Sequence, residues 1–469
     1  MSKYKELAKN TGIFALANFS SKILIFFLVP IYTRALSTTD YGFYDLVYST
    51  VQLLLPILTL NISEAIMRFL LMKDAKVNDI FSIGTKGTLL GSVVFGLGLI
   101  VNNIFHISEL TSQYSFFIWL LFVFFAINGF LLQFAKGIDK IFEMGLAGVI
   151  GTFSMVVFNI LFLTILDLGL PGFFIANIIG YLLPSLYLFW KLELWNYFTW
   201  TSDKELQLAM YRFSLPLILN TLAWWVNNTS DRYIVTWIAG VGANGLISVA
   251  YKIPQILSTV STIFIQAWQI SAIKETESGS NSSFTSSIFL DYNGLLVMIA
   301  GVLILMTQPL SAILFGKEFF TAWQFVPFLI ISSLMNAAAG YVGAILSANL
   351  KTKVMARSAT YGMIANIVLN IIFALFIGIQ GITIATMISS YIIFEIRRRG
   401  IEKMINRNDN RIVQLSWTLL IIESVIIVYL GVWQFAIIPL LLICLLYRNR
   451  FATVGKRLFL MIKNRKTGR

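Results

Sequence analysis

About fourteen apolar stretches divide this chain, each long enough at about 1.5 Å per residue to cross the hydrocarbon core of a bilayer. That pattern confines it to an all-α polytopic membrane fold, because a backbone inside lipid must satisfy its own polar groups and a helix does so unaided. The predicted spans are 11–34, 43–72, 81–105, 113–136, 142–166 and 171–191, then 209–238, 244–273, 286–315, 320–349, 354–377 and 381–396. A last pair follows at 413–431 and 433–447. Composition agrees: 58% of the 469 residues are hydrophobic and 12% charged, too little polar surface to coat a soluble globule. Connections are short, and no soluble domain is expected on either face.

The cations sort by side. Of the 35 Lys and Arg residues, 27 fall at the chain ends or in the loops of one side, from Lys3, Lys5 and Lys9 through to the run Arg448 to Arg469. The opposite side holds only Lys317. Short loops rich in Lys and Arg stay in the cytosol, so both termini are expected there. The same loops account for the net charge of +13 through topology and anionic headgroups, and nucleic-acid binding is not expected. The first apolar stretch, Thr11 to Tyr32, is too long for a secretory signal and lacks a small-residue cleavage site.

Catalytic and metal chemistry find little to build on. The one cysteine, Cys444, lies in an apolar run and excludes an intrachain disulfide. The one histidine, His106, falls in a short external loop without the partners that a zinc site or a hydrolytic triad needs. No catalytic residue, metal or cofactor is expected, and the chain reads as a non-enzyme.

The spans group as six plus six plus two. Gly42, Tyr48 and Gln52 at the start of span 2 recur as Gly245, Tyr251 and Gln255 at the start of span 8. Gly169-Leu170-Pro171-Gly172 with Ala176 is echoed by Gly378-Ile379-Gln380-Gly381 with Ala385, between the fifth and sixth spans of each half. Six spans per half gives two parallel lobes, 1–200 and 201–400, with 401–469 an added helix pair and basic tail.

Polar residues lie in stripes within the spans. At about 100° per residue, Asn244, Ser248, Tyr251, Gln255, Ser258, Thr262, Gln266 and Gln269 share one face of span 8. Tyr48, Gln52 and Thr59, with Tyr41, Asp45 and Ser63, match them on span 2, while Asn220, Trp224, Asn227 and Asp231 stripe span 7. Interhelical hydrogen-bond packing is one reading of such residues, and a hydrated cavity is the other. Seven cations lie in or at the ends of spans: Lys22, Arg34, Arg68, Lys86, Arg212, Arg232 and Lys252. Ionisable groups at depth mark a pathway or a partner. Snorkelling explains Arg34, Arg68 and Arg212, but Lys22 and Lys252 sit several turns inside. Arg232 has Asp231, Asp45 and Glu64 as candidate partners. Fixed positive charge in a cavity suits an anion such as a lipid-carrier phosphate. Trp224, Trp225, Trp237 and Trp268 could offer faces for sugar rings, but aromatics at helix ends usually form an interfacial belt.

The opening of the chain carries a resemblance. Asn10-Thr11-Gly12, then Pro30-Ile31-Tyr32-Thr33-Arg34-Ala35-Leu36-Ser37 and Asp40-Tyr41-Gly42-Phe43-Tyr44, is similar to the signature of capsule and O-antigen flippases. Glu64-Ala65-Ile66-Met67-Arg68-Phe69 and the element of span 8 add to it. Over about residues 7–400 the chain resembles a polysaccharide repeat-unit flippase of the multidrug/oligosaccharidyl-lipid/polysaccharide (MOP) exporter superfamily. The resemblance implies alternating-access transfer of a polyprenyl-diphosphate-linked oligosaccharide from the cytosolic to the outer leaflet of a bacterial cell membrane. Its implied partners are that lipid-linked oligosaccharide, membrane lipids and other polysaccharide assembly proteins.

Substrate-binding candidates are Lys22, Arg34, Lys86, Arg232, Lys252, Tyr48, Gln52, Asn227, Tyr251 and Gln255. Candidates for ion coupling are Asp231, Asp45 and Glu64. A paired charged motif associated with the first helix of peptidoglycan-precursor flippases is missing, and only Lys22 occupies that region, which favours the polysaccharide branch. Two alternatives stand: an ion-coupled multidrug antiporter of the same superfamily, using acids such as Asp45, Glu64, Asp231 and Asp291, and a membrane glycosyl polymerase, for which no external loop is long enough.

Overall fold

The computed structural model describes residues 26–72, 74–201, 203–277 and 282–450. Among these every regular element is helical. Among the described residues, nine helices are long and apolar enough to cross a membrane, or up to eleven if two bent pairs each count as one span. The protein is therefore a multi-pass membrane protein, although fourteen separate spans are not resolved. Most of span 1, Lys22 included, lies outside the described residues, and span 7 is too polar to meet the apolar criterion.

The chain forms two compact units. The first holds Met1–Tyr233, Val241–Gly245 and Phe315–Phe319, and the second holds Ile234–Gly240, Leu246–Leu314 and Phe320–Arg469. In the first, α1 (26–35) leads into α2 (Thr38–Leu58) through a capping box. The Ser37 hydroxyl accepts the Asp40 N–H at 3.1 Å, and the Asp40 carboxylate accepts the Ser37 N–H at 3.3 Å. Part of the opening signature is thus a helix start. Tyr32 and Tyr41 from the same signature stack at 4.7 Å.

α2 runs through Pro56 and stops shortly after it. Leu60 and Asn61 take left-handed backbone conformations, and α3 (Ile62–Leu70) departs at 58°. Then follow α4 (Val77–Phe105), the short α5 (Glu109–Gln113), α6 (Ser115–Gly137) and α7 (Ile141–Asn159), which ends in a π-turn over Ile160–Ile165. α8 (Gly169–Lys191) closes the run. Ile66 on α3, Phe81 on α4 and Phe130 and Phe134 on α6 are buried in one core, where Phe81 meets Phe134 edge-on at 4.8 Å. In lipid, such contacts stabilise through close packing rather than through release of water.

α9 (Lys204–Ala239) is one helix of 36 residues. α10 (Val241–Ala250) breaks at residues 251–253, and α11 (Pro254–Glu277) leaves it at 47°, since proline cannot donate to the preceding turn. The second unit continues with α12 (Ser282–Leu305), α13 (Thr307–Leu314) and α14 (Val326–Ala348). Next come α15 (Thr352–Ile377), α16 (Ile379–Gly400), α17 (Arg407–Val425) and α18 (437–450). α14 is the most enclosed of the spanning helices, and its Ala337-Ala338-Ala339-Gly340 run lets neighbours approach closely. Tyr341 on it stacks on Trp268 at 4.5 Å.

The second sequence echo has a backbone counterpart. Gly169 (φ +55°) and Gly378 (φ +69°) both adopt positive φ at the entrance to α8 and α16, a conformation that side chains resist. Ala176 and Ala385 are both fully buried.

Candidate functional site

In the first unit, three helices bring polar side chains to one face of α2. Asp45 and Ser49 are one turn apart and both buried. From α9, Arg232 donates through Nη1 to Asp45 Oδ1 at 3.0 Å and to Ser49 Oγ at 2.8 Å. Asn244 on α10 donates to Asp45 Oδ2 at 3.3 Å and to the Gly42 carbonyl at 2.9 Å. Trp225, also buried, donates to the Ser49 carbonyl at 3.0 Å, and Tyr233 shares a 2.7 Å bond with Thr50. Asp231 is buried beside the pair and accepts the Arg232 N–H at 3.0 Å.

Backbone proximity makes this network possible. A Cβ on Gly42 would overlap the Val241 carbonyl and lie 2.8 Å from Gly245 N, while one on Gly245 would overlap the Thr38 carbonyl. The two glycines of the repeated element therefore pack on each other, and Asn244 reaches Asp45 because they do.

Of the three acids proposed for Arg232, Asp45 holds its side chain. Glu64 lies beyond the α2–α3 break and is exposed. Tyr48 accepts the Tyr181 hydroxyl at 3.2 Å, and Gln52 is half-buried one turn further along α2. Lys86 on α4 donates to the Trp200 carbonyl at 2.6 Å, away from the network. Arg34 is exposed at the end of α1, where Gly316 N–H donates to the adjoining Thr33 hydroxyl at 3.0 Å. Asn227 falls on α9, but its side chain and that of Trp224 lie outside the description.

In the second unit, Tyr251 and Lys252 are half-buried at the α10–α11 break, and Gln255 is exposed just past it. That break interrupts the stripe predicted for span 8. Asn244 and Ser248 precede it and are buried, whereas Gln255, Ser258, Thr262 and Gln266 follow it and are exposed. Of the tryptophans, Trp268 is buried and Trp237 exposed.

A cavity of about 600 Å³ lies beside α2, lined by Phe43, Leu46, Val47, Thr50 and Leu54 with Phe95 of α4, and by none of the predicted site residues. Outside the membrane, Lys76 Nζ meets Asp203 Oδ2 at 2.7 Å. This hydrogen bond raises the lysine's pKa and lowers the aspartate's.

Chemically, the α2 face presents a cation already held by a carboxylate. An uncompensated buried charge is costly, so Asp45 and Arg232 stabilise each other within the span. Ser49 and Asn244 were absent from the predicted site. Ser49 was signalled by its i, i+4 spacing from Asp45, and Asn244 by its neighbour Gly245. Glu423, a lone acid in the apolar run of α17, carries no sequence signal beyond its own charge, since no cation or polar stripe accompanies it in that run.

The fold has known counterparts. The lipid II flippase MurJ in an inward closed conformation superposes with a TM-score of 0.69 at 15% identity, over 93% of this chain and 99% of that one. An inward-facing multidrug resistance MATE family transporter of the MOP superfamily gives 0.65 at 15% identity, over 83% and 98%. A MOP superfamily transporter from Pyrococcus furiosus gives 0.54 at 14% identity, over 84% and 93%. No curated protein sequence matches significantly. The model of the polysaccharide biosynthesis protein family matches residues 7–269, more than half of the chain, and the protein belongs to this family.

Proposed function

We propose that the protein is a flippase that carries a polyprenyl-diphosphate-linked oligosaccharide repeat unit from the cytosolic to the outer leaflet of the bacterial cell membrane. Two six-helix lobes, 1–200 and 201–400, would alternate access, with both termini cytosolic and 401–469 outside the repeat. The family match over residues 7–269 carries this reading. Cations within spans support it, since a diphosphate is recognised by Arg and Lys. Lys22, Arg34, Lys86, Arg232 and Lys252 are the proposed anion contacts, and Tyr48, Gln52, Asn227, Tyr251 and Gln255 the proposed sugar contacts.

Arg232 has a defined exchange to make. Its Nη1 is bonded to Asp45 and Ser49, so an incoming diphosphate competes with a carboxylate for the same donor. Substrate binding then frees Asp45, which ties α2 to α9 and α10. The experiment is depletion of the protein in cells, followed by identification of the lipid-linked intermediate and the leaflet that holds it. Build-up of a complete repeat unit on the cytosolic leaflet is expected. Normal surface polysaccharide with no such build-up would sink the reading.

The buried acids Asp231 and Asp45 favour a second reading, ion-coupled multidrug antiport. Gradient-dependent extrusion of cationic dyes by the purified protein in vesicles, lost in Asp231→Asn, would replace the first reading by the second.

A further inference from the structure

Glu423 sits in the last turn of α17 with 0% of its surface exposed, and among the described residues neither carboxyl oxygen has a hydrogen-bond partner. Gly301 of α12 faces it: a Cβ there would lie 3.4 Å from Glu423 Oε2 and 2.7 Å from Leu440 of α18. Leu420, one turn back on α17, closes the same space. A buried acid that glues helices together needs a donor, and among the described residues this one has none. Its charged form finds nothing nearby to offset lost hydration, so the side chain is built to hold a proton.

Two further features adjoin it. A π-turn over Ile426–Leu430 follows directly, a geometry that recurs at functional positions in helices. A cavity of about 390 Å³ begins one turn further on, lined by Ile427, Leu305, Gln308, Pro309 and Trp433. Ile427 and Leu305 each lie four residues past Glu423 and Gly301, so the cavity lining starts about 6 Å along the helix backbones from them. Gln308 supplies a polar group there.

We propose that Glu423 is a proton-binding site in the C-terminal helix pair, exchanging its proton through the cavity lined by Gln308. A metal ion is the wrong ligand, because one carboxyl among glycine and leucine side chains cannot supply a cation's several oxygens. Among the described residues no cluster of acids, His or Cys is arranged to hold a metal. The titratable groups on the elements packed here are engaged or remote. Asp291 and Tyr292 lie about ten residues before Gly301 on α12, and Tyr341 of α14 donates to the Thr285 carbonyl. Tyr447 of α18 pairs with Ser416, Cys444 contacts Met298, and Tyr429 lies in the π-turn. Arg407, Asp409 and Arg411 occupy the first turns of α17, where Asp409 accepts from Ser286 at 2.6 Å.

The test is modification of the full-length protein in liposomes by dicyclohexylcarbodiimide, which reacts with a carboxylic acid in an apolar setting. The acid proton passes to a carbodiimide nitrogen, the carboxyl oxygen bonds to the central carbon, and an acyl shift gives the N-acylurea with no atom lost. Mass spectrometry of the Glu423 peptide from pH 5 to pH 10 should show labelling that falls by about tenfold per pH unit once the acid ionises. Absence of labelling throughout, or equal labelling at every pH, overturns the proposal. A second readout is the part of the tryptophan fluorescence that Trp433→Phe removes. It should shift with pH in the wild type and stay constant in Glu423→Gln; the same shift in both proteins overturns the proposal. Neither measurement involves a glycan, so this site and the flippase reading fail separately.

Discussion

α2 and the broken α10–α11 segment start from the same Gly-Tyr-Gln element and use their polar residues in different ways. On α2 the element stays helical through Gln52 because Pro56 comes afterwards, and the polar face is filled by Arg232, Asn244 and Tyr181. In the other segment Pro254 falls between Tyr251 and Gln255, the helix breaks there, and the stripe residues Gln255, Ser258, Thr262 and Gln266 beyond the break are exposed. At the repeat offset the position of Asp45 is taken by Ser248, so only one copy carries the acid. A duplicated element thus shares its glycine packing, while the placement of one proline and one carboxylate decides whether its polar face becomes an ion-pair site or an open surface.

The comparison breaks most readily at Arg232. Arg232→Ala strands Asp45 in a buried setting and should cost about 3–5 kcal/mol of stability. The double variant with Asp45→Ala should recover a large part of that loss. Thermal unfolding of the purified protein measures both. If Arg232→Ala is no more harmful than a polar-to-Ala change on α11, the two segments are alike after all.

Glycine packing is the shared half of the comparison. Gly42→Ala and Gly245→Ala each place a methyl group against a backbone carbonyl and should each destabilise by about 1–3 kcal/mol. Comparable losses from both, in the same unfolding assay, are expected. A silent Gly245→Ala would mean that the close approach seen at Asn244 is not what holds the network together.

Apolar stretches of bilayer length made the spans legible, and pairing a cation with an acid made Arg232 and Asp45 legible as partners. The choice of Asp45 over Glu64 was not, because both lie in the predicted span 2 and only the break after Leu58 separates them. The span 8 stripe assumed one straight helix, and Pro254 ended that geometry three residues after Tyr251. Ser37 and Asp40, which looked like part of a functional signature, are accounted for as a helix cap.

Reactivity sharpens the contrast without changing stability. In a Cys444→Ala background, single cysteines replacing Gln255, Ser258 and Thr262 should react with a membrane-impermeant thiol reagent if that face meets water. Cysteines replacing Ser49 and Thr59, both buried, should be protected. Equal protection at all five positions would turn the α11 face into a lipid or packing surface and remove the proposed open side.

The smallest effect belongs to an ion pair of the same kind set in water. Lys76 and Asp203 meet at 2.7 Å, closer than Arg232 and Asp45 at 3.0 Å, so distance alone would rank the exposed pair higher. Solvent screening reverses that order. Asp203 also caps α9 by accepting the Glu205 N–H at 2.9 Å, a bond that Asp203→Asn retains while removing the charge. The aspartate's pKa is lowered in the folded protein, so its contribution is present above the ordinary aspartate range and is lost as pH falls through the folded value. The lysine's is raised, so its share is present at neutral pH and disappears only in strong alkali. Wild type and Asp203→Asn should therefore differ slightly near pH 7, converge as the pH falls through the folded aspartate's lowered value, and differ less when salt is added. A difference at pH 7 as large as that of Arg232→Ala would show that burial is not what sets the two pairs apart.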